Sequence, residues 1–341
     1  MKKIVIMGGG FAGSEIARKL ENKFDVTLID AKDYFEFTPG VLRTIVKPEH
    51  IRKIQVLHSR YLKKTEIVVG NVGEVNKKSV KIGNKKVSFD YLVVASGSKY
   101  NSPFKEAVIN TARADHLKNS YKAVCKAKNI LIVGGGLVGV ELAGEILDSF
   151  KGKKIIMVHR ENNLIERNNK KAINYAEEFL RKNKVNIILK DEVDKIKNKT
   201  VTTKNGQKIE SDLIFLCTGI KPNFSFLVKH FSDNLNEKNQ VIVNPYLQIY
   251  RNIFAAGDVS STKEEKTAQN AERQAKVIAH NILALEKNKK LRAYEPRTGP
   301  LVISLGRYNG IFVYKNITFT GVIPGLLKSF IEFREMYKKG R

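Results

Sequence analysis

The sequence predicts an α/β protein in which two similar three-layer units each place a glycine-rich turn between a strand and a helix. Three observations carry this. The turns Gly8-Gly9-Gly10-Phe11-Ala12-Gly13 and Gly134-Gly135-Gly136-Leu137-Val138-Gly139 repeat one spacing 126 residues apart. Each follows a run of strand-forming residues, Ile4-Val5-Ile6-Met7 in the first and Ile130-Leu131-Ile132-Val133 in the second. Each opens a segment of helical pattern. In such a turn the first glycine permits the tight bend, the second lets backbone approach a pyrophosphate, and the third lets the helix lie close to its strand. The helix N-terminus then faces the phosphates. Both units are therefore Rossmann-like, and the chain is built to hold two dinucleotides.

In the first unit the helix runs from Phe11 to Leu20, and the strand Val26-Thr27-Leu28-Ile29 ends in Asp30, 17 residues past Gly13. A carboxylate there can accept both hydroxyls of a ribose. A polar, aromatic stretch over 32–40 follows, then a helix through Arg43 and paired strands over 68–72 and 75–82. The run 89–94 reads as a buried strand ending in Ala95-Ser96-Gly97, where small residues let backbone pass close to a ligand. A polar connector near 101–105 and a helix over 113–125 lead to the second glycine turn. Its matching strand Ile155-Ile156-Met157-Val158 ends in His159-Arg160, so the acid is missing and a cation follows.

A helix over 172–182 and strands over 185–189, 201–203 and 213–216 complete that unit, closing at Cys217-Thr218-Gly219. A further strand, Ile253-Phe254-Ala255-Ala256, then ends in Gly257-Asp258, where the glycine gives clearance and the aspartate accepts from hydroxyls. Because this strand returns after the second turn, the second unit is expected to be inserted in the first. The expected domains are 1–106 with 222–295, 107–221, and a C-terminal segment 296–341 of mixed α+β character. A helix from Thr267 puts Ala268, Ala271, Ala275, Ala279 and Ile282 on one face. The tail reads as a strand over 301–305, a hairpin partner near 311–313, and a terminal helix over 324–339. On that helix Leu326, Leu327, Phe330, Ile331 and Tyr337 share a face, flanked by Lys328, Lys338, Lys339 and Arg341. Either a membrane-interface helix or a helix docked on its own domain fits.

Composition narrows the function. A chain of 341 residues with 42% hydrophobic content supports about two domains. No charge-free apolar run reaches the roughly 18 residues of a membrane span. The apolar start runs straight into the first glycine turn, so it reads as a buried strand and not as a signal peptide. Two cysteines, Cys125 and Cys217, make neither a disulfide framework nor a C-x-x-C pair, which points to a cytoplasmic chain. Cys217 lies in an apolar run, where a small buried hydrophobe is expected. The six histidines show no ligand spacing, so no metal is expected. A net charge of +27, mostly lysine, suits an anionic partner or reflects a lysine-rich coding bias. With no zinc-finger or RNP-like motif, nucleic acid is not expected.

The motifs, in this order, resemble the two-dinucleotide-binding-domain flavoproteins, the FAD/NAD(P)-binding pyridine nucleotide-disulfide oxidoreductase superfamily, over nearly the whole chain. The resemblance implies that Gly8, Gly10, Phe11, Ala12, Gly13, Asp30, Ala31 and Lys32 hold FAD. It further implies that Ala95, Ser96 and Gly97 link the domains, that Gly257 and Asp258 hold the ribityl chain, and that Ala268 opens a helix toward the flavin C2 carbonyl. NADH or NADPH then falls to Gly134, Gly136, Leu137, Val138, Gly139, His159, Arg160 and Gly219. The missing acid at His159 makes the site permissive to NADPH, whose 2′-phosphate Arg160 could pair.

Within that superfamily the chain is most similar to type II NADH:quinone oxidoreductases and their ferroptosis-suppressor or AIF-like branch. Thr267-Ala268-Gln269-Asn270-Ala271-Glu272-Arg273-Gln274 resembles an A-Q-x-A-x-Q quinone signature, departing at Arg273 with glutamine one place later. Leu305-Gly306-Arg307-Tyr308-Asn309-Gly310 and Lys328-Ser329 resemble the C-terminal region of that branch. Arg43 and Val72 fall where the branch contacts FAD, and Glu141 matches a glutamate near the nicotinamide. Gln269 and Gln274 become candidate donors to a quinone carbonyl, with Lys328 an electrostatic candidate. The cysteines that disulfide reductases carry soon after the first acid are absent, so electrons must pass to a quinone, another small acceptor or oxygen without a thiol relay. The expected activity is NAD(P)H:quinone oxidoreduction, in a cytoplasmic protein able to sit on the anionic inner face of the cell membrane and compatible with a homodimer. Reduction of a ferredoxin- or rubredoxin-like protein, and a non-enzymatic redox-sensing role, stay open beside it.

Overall fold

The computed structural model describes residues 1–99 and 112–340; the expected connector at 101–105 and Arg341 lie outside them. The chain starts with β1 (Lys3–Met7), helix α1 (Phe11–Leu20), β2 (Asp25–Asp30), β3 (Glu66–Val69) and β4 (Tyr91–Val94). It continues through α2 (Ala112–Lys126), β5 (Asn129–Val133), α3 (Leu137–Ser149), β6 (Lys154–His159), α4 (Lys170–Lys182), β7 (Asn186–Leu189) and β8 (Leu213–Leu216). It then gives β9 (Gln248–Tyr250), β10 (Ile253–Ala255) and α5 (Ala268–Glu286), and ends in β11 (Leu301–Ser304), β12 (Gly310–Tyr314), β13 (Ile317–Gly321) and α6 (Val322–Lys338).

The first sheet has the order β9-β10-β4-β1-β2-β3 and is parallel except for the β9-β10 pair. The second, β7-β6-β5-β8, is parallel throughout. In both, the strand before the glycine turn sits between the strand that follows its helix and a strand from later in the chain. The chain leaves the first sheet after β4 and rejoins it at β9, so the second sheet is an excursion from the first.

Burial on both faces explains why these strands read as continuous apolar runs. Ile4 and Ile6 pack with Ile16, Leu20, Phe254, Ile278 and Ile282 beneath α1 and α5, whereas Val5 and Met7 pack with Ile29, Leu92, Val94 and Val241 on the other face. The alternation is the period of a strand. Helices α4 and α5 begin at side-chain caps: Asn169 accepts from the Ala172 N–H and Thr267 from the Asn270 N–H.

The C-terminal segment is a three-stranded antiparallel sheet, β11-β12-β13, backed by α6. Strand β13 lies beyond the two strands expected for the tail, although its Ile317-Thr318-Phe319-Thr320 run has the alternation of a strand, with Ile317 and Phe319 on the exposed face. The segment shares one core with the second unit and with the 35–56 region, in which Ile303, Ile311, Val313 and Met336 meet Val140, Ile146, Phe35 and Val41. The exposed face of α6 differs from the expected one. Ile331 packs on that core, and the outward side chains are Ile323, Leu326, Phe330, Phe333 and Tyr337.

Glycine lets α3 touch the C-terminal sheet. A Cβ on Gly144 would stand 2.6 Å from the Leu305 Cα. Gly144→Ala is expected to lower stability by about 1–3 kcal/mol through this overpacking. Gly73→Ala, whose Cβ would meet nothing nearer than 3.9 Å, should leave the thermal midpoint almost unchanged by comparison.

Candidate functional site

The site grows from the two glycine turns, which share one geometry. Gly8 has φ +101° and donates to the Ile29 carbonyl at 2.7 Å; Gly134 has φ +108° and donates to the Val158 carbonyl at 2.8 Å. A Cβ at either would lie 2.3 Å from a carbonyl oxygen, that of Ala95 or of Cys217. At Gly13 and Gly139 it would fall 1.8 and 1.9 Å from the first glycine's carbonyl oxygen. Around the second glycines, Gly10 and Gly136, nothing lies within 4 Å of the Cβ position. Gly9 and Gly135 are also hemmed in, a Cβ there meeting His58 Nε2 at 2.4 Å or Leu164 at 2.3 Å, so three glycines of each turn are demanded by the protein's own packing while Gly10 and Gly136 face open space. Neither α1 nor α3 has a side-chain cap, so the free N–H groups face that space. Both cradles fit a pyrophosphate.

Asp30, at the end of β2, accepts from the backbone N–H groups of Gly9 and, at 3.0 Å, Lys32. Lys32 lays its ammonium over the Tyr34 ring. Behind Asp30 stands His58, fully buried, its Nδ1 2.7 Å from the Tyr61 hydroxyl. Its Nε2 is 4.0 Å from Asp30 Oδ2 and makes no hydrogen bond. Burial pushes the imidazole down to about 4, so it is neutral beside the carboxylate. Phe11 packs edge-on against Phe35 and Phe37, and Ala12 is buried against the Gly257 turn.

Two chain crossings join the units at this level. Ser96 Oγ donates to the Asn223 carbonyl at 2.7 Å, Asn223 Nδ2 donates to the Ser96 carbonyl at 3.0 Å, and the Asn223 N–H donates to Gly97. Ser98 and Lys99 pair antiparallel with Pro222 and Lys221. Ser98 Oγ also donates to Asp258 Oδ2 at 2.6 Å, which ties the Gly257-Asp258 turn to the crossing. Gly257 takes φ +77° and donates to Gln274 Oε1 at 2.7 Å. Gln274 is buried, and its amide nitrogen donates to Thr262 and Glu264. Both ends of that amide are used inside the protein. Gln269, one residue after Ala268 at the start of α5, is exposed, and its Nε2 donates to the Pro300 carbonyl at 3.4 Å.

On α3, Glu141 and Glu145 are one turn apart and both buried. Glu141 accepts from Lys328 of α6 and, at 2.9 Å, from the Ser304 N–H. Glu145 holds Arg43 through contacts of 3.0–3.2 Å. Arg43 lies on the short helix Val41–Thr44. Sequence reasoning chose Arg43, Glu141 and Lys328 but not Glu145, His58, Asn223 or Ser304. The i, i+4 spacing from Glu141 was the available signal for Glu145. Val72 is half-buried and packs on the cluster that holds Val5, Met7 and Ile29.

In the second unit His159 Nε2 lies 3.3 Å from Glu166, and the exposed Arg160 pairs with Glu161 at 2.9 Å. The strand end that lacks an acid therefore has two carboxylates close by. Gly219, at φ +102°, has open space around it, and Leu137 and Val138 pack partly buried against the core. Cys217 is buried, which pushes its thiol up to about 12, and Cys125 is exposed. Among the described residues no cluster could hold a metal.

A comparison with known families matches residues 2–275 to the pyridine nucleotide-disulphide oxidoreductases. The chain belongs to that family. Its cofactors are accordingly FAD and NAD(P)H, and it is an FAD- and NAD(P)-dependent oxidoreductase. Apoptosis-inducing factor homolog A of Dictyostelium discoideum is 36% identical over 362 residues, covering 96% of this chain and 89% of the relative. Ferroptosis suppressor protein 1 of Xenopus tropicalis is 30% identical over 330 residues, covering 91% and 87%. The fold matches the sulfide:quinone oxidoreductase of Aquifex aeolicus with a TM-score of 0.84, at 21% identity, over 99% of this chain and 91% of that one. It matches NDH2 of Plasmodium falciparum with a TM-score of 0.79, at 16% identity, over 98% of each. The first 124 residues contain no cysteine, so no cysteine pair follows Asp30.

Gly10→Ala fills only open space, so it should leave thermal stability near the parent's while lowering the FAD retained on purification. Gly136→Ala should spare FAD and weaken NAD(P)H binding; titration of each nucleotide checks both. The His58 ring sets a pH dependence. Its folded pKa of about 4 lies below the ordinary 6.5, so its stability contribution is full above pH 6.5 and drains as pH falls toward 4. Denaturant titrations between pH 7 and 4 should show that slope, and His58→Gln should flatten it.

Proposed function

We propose that this oxidoreductase takes hydride from NADH or NADPH and passes two electrons to a quinone-class small acceptor. The observation that carries this is the two-sided character of α6. One face delivers Lys328 to Glu141, and the other presents the unpartnered apolar row Ile323, Leu326, Phe330, Phe333 and Tyr337. A lipid-soluble acceptor approaching that row arrives beside the helix that anchors the nucleotide unit. The absence of a thiol relay supports direct transfer from the cofactor to the acceptor. We also propose that the row seats the protein peripherally on an anionic membrane face, consistent with the charge of +27. No described helix is long and apolar enough to cross a membrane.

Bound FAD supplies the two-electron chemistry, accepting hydride and returning electrons one or two at a time. The chain's own residues do the rest. Gly10 and Gly136 make room for the two pyrophosphates, and Asp30 receives the adenosine ribose of FAD. Glu141, with its charge balanced by Lys328, orients the nicotinamide amide. Gln269, exposed at the start of α5, donates to the acceptor. Gln274 instead fixes the Gly257 turn that carries Asp258 toward the ribityl chain. Arg43 and Val72 line the flavin side, and the units divide as 1–106 with 222–295, 107–221 and 296–341.

Steady-state oxidation of NADH and NADPH by FAD-loaded protein, with a panel of quinones and with an acidic iron-sulfur carrier, tests the reading. Turnover should be supported by quinones; turnover by the protein carrier alone, or by neither, would remove it. Glu141→Gln should lower kcat/KM for the nucleotide about tenfold or more, as expected when a charged hydrogen-bond partner is lost. For cofactor choice, Arg160→Glu should lower kcat/KM for NADPH and leave that for NADH, whereas Glu166→Gln should raise the NADPH value.

A further inference from the structure

Lys339 closes the C-terminal end of α6, and of the described lysines it alone is buried. Its ammonium donates to Ser14 Oγ at 2.8 Å and lies 4.6 Å from the Phe35 ring centre and 4.8 Å from that of Tyr61. Among the described residues no carboxylate comes within ion-pairing distance, although Glu15, Glu272 and Glu335 act on it from farther away and Arg18 acts against them. Taking an ammonium out of water costs several kcal/mol, and two aromatic faces with one hydroxyl offset that only when all three are in place. Burial draws the group down to about 8. The cage is therefore exacting about geometry.

Every group of the cage belongs to the wall of the first dinucleotide site. Ser14 is in the first turn of α1, its N–H donating to the Gly10 carbonyl at 3.0 Å. Phe35 packs edge-on against Phe11, the first residue of α1, at 5.1 Å between ring centres. The Tyr61 hydroxyl holds His58, which backs Asp30. A cation behind the first turn of α1 also adds to the positive potential that its helix N-terminus offers a pyrophosphate.

We propose that Lys339 is a positioning residue of the FAD site: seating the end of α6 orders Ser14, Phe35 and Tyr61 for FAD, and bound FAD in turn holds the end of α6 in place. The proposal rests on the family's assignment of FAD to the first turn. It goes beyond that assignment by making occupancy of the cofactor site and seating of the C-terminal helix two sides of one equilibrium, with equal coupling in each direction.

The test uses the full chain stripped of flavin. FAD affinity is read by flavin fluorescence for the unaltered protein, Lys339→Met and the exposed neighbour Lys338→Met, and backbone hydrogen exchange over 330–340 is followed with and without FAD. Lys339→Met should weaken FAD about tenfold, within the usual range of such couplings, while Lys338→Met stays at the parent value. FAD should slow exchange over 330–340 in the unaltered protein and not in Lys339→Met. Parent-like FAD affinity in a folded Lys339→Met overturns the proposal, since a merely structural lysine would loosen the tail alone. So does an unaltered protein whose tail exchange ignores FAD, a measurement that needs no variant to fold. A parent apoprotein that does not bind FAD at all would instead refute the cofactor assignment beneath it.

Discussion

Two buried carboxylates on one helix turn hold the molecule's parts in register. Glu141 and Glu145 leave α3 on the same side, one to Lys328 and the Ser304 N–H of the C-terminal segment, the other to Arg43 of the 41–44 helix. A buried carboxylate deprived of its partner costs about 3–5 kcal/mol, so each must find its cation, and the cations belong to different stretches of chain. Satisfying both at once leaves little freedom in how α3, the 41–44 helix and α6 meet. Gly144, between them on the same helix, allows the close approach to Leu305 that this arrangement needs. The glycine turns leave open space at Gly10 and Gly136; this pair of contacts fixes α3 relative to both neighbours.

What could be read from the sequence followed from local physics. The glycine turns, Asp30, the crossing at Ala95-Ser96-Gly97 and the Gly257-Asp258 turn are legible because each demands particular residue types within a few positions of a strand end. The order of motifs then gives the excursion of the second sheet from the first. Contacts across long sequence separations were not legible. That Arg43 would meet Glu145, or that Lys339 would reach Ser14 325 positions away, depends on how α6 lies across two other elements, and no period in the sequence carries it. The same reason misplaced the face of α6: helical spacing grouped Ile331 with Phe330, but the core beneath claimed Ile331 and left Phe333 outside. Gln274 shows the limit of motif reading: it stands one place past the glutamine of the signature, and its amide is spent on Gly257, Thr262 and Glu264.

The two dinucleotide cradles are duplicates in backbone and differ in which polar group ends the second strand. Their hydrogen bonds and steric demands agree to within about a tenth of an ångström in each corresponding contact, because strand, turn and helix packing leave one solution. At the strand end, where packing makes no demand, they diverge. The first puts a carboxylate beside a neutral imidazole, with Asp30 forward and His58 behind. The second puts the imidazole of His159 at the strand end and a carboxylate, Glu166, beside it. The same two chemical groups occur in exchanged positions. In the first cradle the acid is held by two backbone N–H groups. In the second, the carboxylates close by are Glu166, beside His159, and Glu161, which pairs with Arg160. Under the proposed assignment of NAD(P)H to the second cradle, the choice between a 2′-hydroxyl and a 2′-phosphate falls to these side chains, whereas the acid of the first cradle is fixed by backbone N–H groups.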